Sequence, residues 1–146
     1  MTRAAAALAA AWAGLLASAA AHGGNPAQDY VLNCMGCHGT GAQGIPGKVP
    51  PLANALRRFM RTPEGRNYVL RVPGAANSAL SDEQLAAVLN WLAATYDTGA
   101  VPSQLAPFTR SEVATLRHQP LIAVLATRKA VVNALAATGP SPPSQY

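Results

Sequence analysis

Two cysteines and a histidine fall within one five-residue stretch, Cys34-Met35-Gly36-Cys37-His38, and the 146-residue chain has no other cysteine. Three chemistries compete for this spacing. Cysteines three apart can form a strained redox disulfide, as in thioredoxin-like proteins, but that chemistry needs a strand–helix–strand context. The flanks, Ala27 to Asn33 before and a glycine-rich loop after, supply no strand pattern. Zinc would want a second ligand pair, and the sequence has none. The reading that uses all three side chains is covalent haem attachment: each thiol adds to a haem vinyl group and the adjacent imidazole ligates iron. Residues i and i+3 of a helix share a face, so both sulfurs meet the porphyrin edge while His38 turns under the metal. The expectation is one haem c on Cys34 and Cys37 with His38 as proximal ligand; a redox disulfide is the alternative.

The elements that must position this motif read as helices. Asn25 and Pro26 are a cap and a first helical residue, opening a helix that runs to about Cys37. Tyr30, four residues before Cys34, shares its face and reads as a packing aromatic. Gly39 to Gly47 is loop, with glycines that let the backbone pass close to a macrocycle. Pro50-Pro51-Leu52 leads to a short helix around Asn54–Arg61. Thr62-Pro63-Glu64 starts another helix through about Arg71, which Pro73-Gly74 ends. Ser81-Asp82-Glu83-Gln84 is a capping box, and Leu85, Val88, Leu89 and Leu92 follow at core-facing helical spacing, with Trp91 and Tyr96 as bulk. Nothing alternates like a strand, so the expected fold class is all-α. Beyond a linker at Gly99 to Pro107, Thr109 to Glu112 form a second capping box whose helix Pro120 must stop. Leu121–Ala137 is amphipathic, with Arg128-Lys129 forbidding a membrane span.

Composition narrows the class. Half of the residues are hydrophobic and 12% charged, which excludes a disordered chain. Arg3 followed by an Ala/Leu run ending in Ala19-Ala20-Ala21 reads as a signal peptide, cleaved before His22 for export to the periplasm; an uncleaved membrane anchor is the competitor. Eleven Lys and Arg oppose six Asp and Glu, a net charge of +5 that suits acidic partners. No basic cluster is interleaved with aromatics, so nucleic acid is not expected. The expected organisation is a signal peptide at 1–21, a haem domain at 22–98, a helical extension at 99–138 and a disordered tail at 139–146.

Over Pro26–Tyr96 the sequence resembles a class I c-type cytochrome of the exported bacterial type. The resemblance rests on Tyr30, Cys34 to Gly39, Pro50-Pro51-Leu52, Tyr68-Val69-Leu70 ending at Gly74, and Leu80 to Leu85 leading into Trp91. It implies a small bundle of helices around one haem, with the Pro51 carbonyl accepting a hydrogen bond from the His38 ring and Tyr30 lying near Trp91. The chain departs from the family at the sixth iron ligand. Family members place a methionine in the loop before the Leu-Ser-Asp helix start, whereas Ala75–Ala79 has none. Asn77 lies in that loop and offers an amide oxygen, or is simply a polar loop residue. Met60 lies earlier, as a ligand or as packing beside Phe59. His118 either folds back from the C-terminal region or sits exposed beside Arg117.

The resemblance implies an electron carrier working between a dehydrogenase-type donor and a downstream acceptor, rather than an enzyme. Asp82 and Glu83 belong to the helix cap, leaving the loop no distal acid–base group. Two alternatives stand: a small-ligand-binding haem protein or small haem enzyme, and a dedicated subunit of a larger redox complex docked through the C-terminal helices. Arg57, Arg58, Arg61, Arg66 and Arg71, opposed by Glu64 alone, read as a docking surface for an acidic redox partner, as solvated helix faces, or as a partner for a haem propionate. His22, as a new N-terminus, could chelate copper or be a flexible tail.

Overall fold

The computed structural model describes residues 24–97 and 104–143. The expected signal segment, His22 and much of the expected linker lie outside the described residues. Helix α1 (Pro26–Asn33) begins where Asn25 Oδ1 accepts from the Ala27 N–H at 3.0 Å. The chain then turns at Cys34, and a single-turn helix α2 (Met35–His38) carries the rest of the motif. The helix expected to reach Cys37 is therefore two pieces meeting at a cysteine. Short α3 (Leu56–Phe59) precedes α4 (Pro63–Arg71), which Thr62 caps onto Gly65 N–H at 3.1 Å. Extended Val72 separates α4 from α5 (Pro73–Ala76). Pro73 thus opens a turn of helix as well as ending one, since its missing N–H costs nothing at a first position. Both arms of the Ser81–Gln84 capping box are formed at the start of α6 (Asp82–Thr95). Thr109 caps α7 (Arg110–Leu116), and α8 (Val124–Ala136) is the last helix among the described residues. The fold is all-α; the β structure among the described residues is one isolated bridge, Ile45 to Val49.

Helices α1 and α6 pack together through Tyr30, whose ring centroid lies 5.7 Å from that of Trp91 and 6.4 Å from that of Tyr96. The C-terminal helices join the same core: α7 packs on α6, α8 on α4, and Phe108, Val113, Val131 and Leu135 are all buried with it. Burying such side chains stabilises by roughly 1.5–3 kcal/mol each. Asn90 fixes Phe108 through a reciprocal pair, donating to its carbonyl at 2.9 Å and accepting from its N–H at 2.8 Å. Over residues 139–143, where a disordered tail was expected, the chain is held: Arg61 donates to the Pro140 carbonyl at 2.8 Å and Arg128 to that of Pro143 at 2.9 Å. No helix among the described residues is long and apolar enough to cross a membrane.

Candidate functional site

The chain must turn sharply twice to bring its motif to a common wall. Cys34, at φ −128° between α1 and α2, takes the first turn, and Gly39, at φ 77°, takes the second. The wall belongs to a cavity of about 470 Å³, within the range of roughly 300–1,000 Å³ usual for cofactor sites. Cys34, Cys37 and His38 line it together with Pro50 and Pro51, facing apolar residues of α4 and α6 such as Val69, Leu85 and Leu89. Both thiols are free. Burial pushes the Cys34 thiol above its ordinary pKa, and the Asp29 carboxylate and Cys37 add to the effect.

His38 is half-buried, and burial lowers its pKa below the usual 6.5, partly offset by the Pro50 carbonyl 3.1 Å from its Nδ1. A carbonyl can only accept, so Nδ1 carries the proton and donates, leaving the Nε2 lone pair for a metal. The acceptor is Pro50, a correction to the expected Pro51. Successive carbonyls of an extended Pro-Pro segment point in different directions, so only one of the two can meet the ring. Pro51 lines the cavity beside it.

The loop from Gly39 to Ala53 holds that carbonyl in place. Leu52 and Ala53 N–H groups both donate to the Ala42 carbonyl, at 2.9 and 3.0 Å. The Tyr30 hydroxyl donates to the Gly39 carbonyl at 2.5 Å and that of Tyr96 to Thr40 at 3.0 Å. Buried Gly44, at φ 70°, lies against the Val49 and Pro50 backbone so closely that a Cβ would strike both. Gly39, Gly41, Gly44 and Gly47 are not on the cavity wall. Gly44 is the one that lets the loop close on its own backbone.

The candidates for a distal ligand lie apart from this wall. Met60 is buried in the core at the end of α3, and Asn77 is exposed at the end of α5; neither lines the cavity, although Ala75 and Ser78 do. His118 is exposed and also off the wall. Its neighbour Arg117 is buried and donates to the carbonyls of Ala76, Ser78 and Leu80 and to Asp82 Oδ1 at 3.0 Å. The C-terminal region therefore clamps the short loop that contains Asn77.

The arginine cluster is a correction of the same kind. Arg61 donates to the carbonyls of Leu135 and Pro140, Arg71 to those of Gln119 and Pro120, and Arg66 forms a bidentate pair with Glu112 while reaching the Ala106 and Pro107 carbonyls. Carbonyls at helix ends and in loops lack partners of their own, and a guanidinium fork satisfies several at once. Three of the five arginines thus hold the C-terminal segment instead of forming a docking face.

Among the wall residues the sequence did not reveal are Val124 and Arg128 of α8. The available signal was spacing: Val124, Arg128, Val131 and Leu135 fall on one helical stripe, placing a charge where an apolar side chain belongs.

Two free thiols and one oriented imidazole on the wall of an apolar cavity fit a covalently bound haem. The comparisons agree. The family model for cytochrome c matches residues 25–95. A cytochrome c-552 of Thermus thermophilus is 35% identical over 116 residues, covering 66% of this chain and 88% of that protein. A second cytochrome c-552, from a named strain of the same species, is 36% identical over 116 residues, covering 66% of this chain and 78% of that protein.

Proposed function

Because this chain belongs to the cytochrome c family and carries one covalently attached haem c, we propose that it shuttles single electrons in the periplasm, from an exported dehydrogenase-type donor to a downstream acceptor. The carrying observation is that Cys34, Cys37 and His38 share one wall of an otherwise largely apolar cavity. Cys34 and Cys37 are the attachment points and His38 the proximal iron ligand. Bound there, the haem supplies a one-electron iron couple. The chain's own contribution is positional: Pro50 fixes the imidazole tautomer, the Gly39–Ala53 loop fixes Pro50, and α4 and α6 keep water from the cavity. No carboxylate and no second imidazole lines the cavity among the described residues, which supports a carrier over a peroxidase-type catalyst. Export rests on the alanine-rich start, and an acidic partner on the net charge of +5.

The test is haem retention under denaturing conditions. Wild-type protein boiled in detergent is expected to keep its haem through electrophoresis, and the Cys34→Ala, Cys37→Ala double variant to lose it. Complete release from the wild type by acid–acetone would overturn the assignment.

A second reading has its own observation: no methionine lines the cavity among the described residues. The iron's sixth position is then open to a small exogenous ligand or held by a weak one. Rapid carbon monoxide binding by the ferrous protein supports this reading. A ferric sulfur-to-iron band in the far red, abolished by Met60→Leu, overturns it.

A further inference from the structure

Ser78 belongs to no helix, yet it lies half-buried on the cavity wall. From Val69 to Leu92 that wall is otherwise built from aliphatic side chains, Pro73 and Gly74. The stretch from Val72 to Ser78 joins the end of α4 to the approach to α6, so Ser78 belongs to the wall that faces the attachment motif. Its hydroxyl donates to the Ala75 carbonyl at 3.0 Å. The Arg117 guanidinium reaches the hydroxyl oxygen at 3.4 Å and the Ser78 carbonyl at 2.9 Å. Arg117 thus holds the residue by its main chain, whichever way the hydroxyl turns. Turning it away from Ala75 costs little, because that carbonyl still accepts from the Ser78 N–H at 3.3 Å. A hydroxyl hydrogen rotates to suit the better acceptor.

We propose that Ser78 is the hydrogen-bond donor to a small inorganic anion, of the azide or cyanide class, at the sixth position of the ferric haem. This rests on the open-site reading given above. Ferric iron draws a small anion by charge, while an apolar pocket penalises that anion by removing its hydration. One donor aimed into the pocket offsets the penalty for a ligand whose outer atom accepts a hydrogen bond. Carbon monoxide, nearly apolar, gains little from it. Arg117 is the positioning residue, and it lies outside residues 25–95. The part of the chain beyond the family match therefore places the donor.

The experiment is azide titration of the intact ferric haem protein, with carbon monoxide titration of the ferrous protein as reference. Ser78→Ala is expected to bind azide about tenfold more weakly than wild type, and carbon monoxide within about twofold of it. Ser78→Thr keeps the hydroxyl and should retain most of the azide affinity. The infrared stretch of bound azide should shift between light and heavy water in wild type but not in Ser78→Ala. Covalent haem is scored separately on a denaturing gel. Wild-type azide affinity in Ser78→Ala overturns the inference, since the anion is then held by another wall residue. So does a loss found instead in Tyr68→Phe, the other wall hydroxyl, whose ring centroid lies 5.3 Å from that of Phe59. A wild type that binds neither azide nor carbon monoxide removes the open-site reading, and the donor assignment with it. Should Ser78→Ala fail to carry haem, the isotope shift decides: a shift that persists in Tyr68→Phe supports the assignment, and a shift absent from wild type or lost in Tyr68→Phe overturns it.

Discussion

Arg117 holds several backbone carbonyls from one side chain, and the structure allows the cost of its removal to be worked out. The guanidinium is 6% exposed and donates to Leu80 O at 2.8 Å, Ser78 O at 2.9 Å and Ala76 O at 3.2–3.3 Å. Its ion partner Asp82 keeps a side-chain exposure of 26%, so that pair adds little. Ala76 and Ser78 are half-buried, and water can replace the arginine at their carbonyls. The bond to Leu80 O is fully buried, and water cannot follow. A hydrogen bond to a charged group is worth about 1.5–3 kcal/mol net, and an orphaned buried acceptor costs a similar amount. Arg117→Gln should therefore destabilise by about 3 kcal/mol. For a chain of this size that lowers Tm by about 10 °C. Urea unfolding of the haem protein, followed by tryptophan fluorescence, reads the loss as a lower midpoint with unchanged slope. Arg117→Lys should recover less than half, because one ammonium cannot span three carbonyls. A loss under about 1 kcal/mol, or full recovery by lysine, would refute the account of this clamp.

Ending the chain at Thr98 removes buried Phe108, Val113, Val131 and Leu135 together with part of the cavity wall. The truncated protein is expected to lose cooperative thermal unfolding and most haem incorporation. Gly44→Ala places a Cβ at positive φ against the Val49 and Pro50 backbone; a loss of at least about 1–2 kcal/mol should appear in the same urea assay. Met60→Leu conserves volume at a core position off the cavity wall, so it should leave the ferric spectrum unchanged and cost under about 1.5 kcal/mol. In the apoprotein, the raised Cys34 pKa leaves less thiolate at any pH below it. Cys34 should alkylate more slowly than exposed Cys37, with the gap narrowing as pH rises.

Local signals proved legible because local physics produces them. Asn25, Thr62, Ser81 and Thr109 each cap the helix they announce, since a short polar side chain ahead of an amphipathic run satisfies the first N–H groups wherever the helix then packs. The attachment motif was legible for the same reason, as five consecutive residues. What sequence could not supply was the destination of long side chains. Arg61, Arg66, Arg71 and Arg117 meet partners 35 to 79 residues away, mostly carbonyls, which have no residue-type signature. For that reason 99–138 read as an appendage to a finished core. The choice between Pro50 and Pro51 turned on carbonyl direction, and the break at Cys34 carries no breaker residue.

That several arginines grip the C-terminal segment by its main chain has a consequence for how freely its exposed positions can vary. A guanidinium bound to the carbonyls at Gln119, Pro120, Leu135 and Pro140 is indifferent to which side chains those positions carry. Substitution at exposed Gln119, Pro120 and Pro140 should be nearly silent as long as the backbone path is kept, unlike at buried Leu135, whereas a one-residue insertion or deletion would move every carbonyl out of register with its arginine. The segment's length is thus under tighter constraint than its spelling.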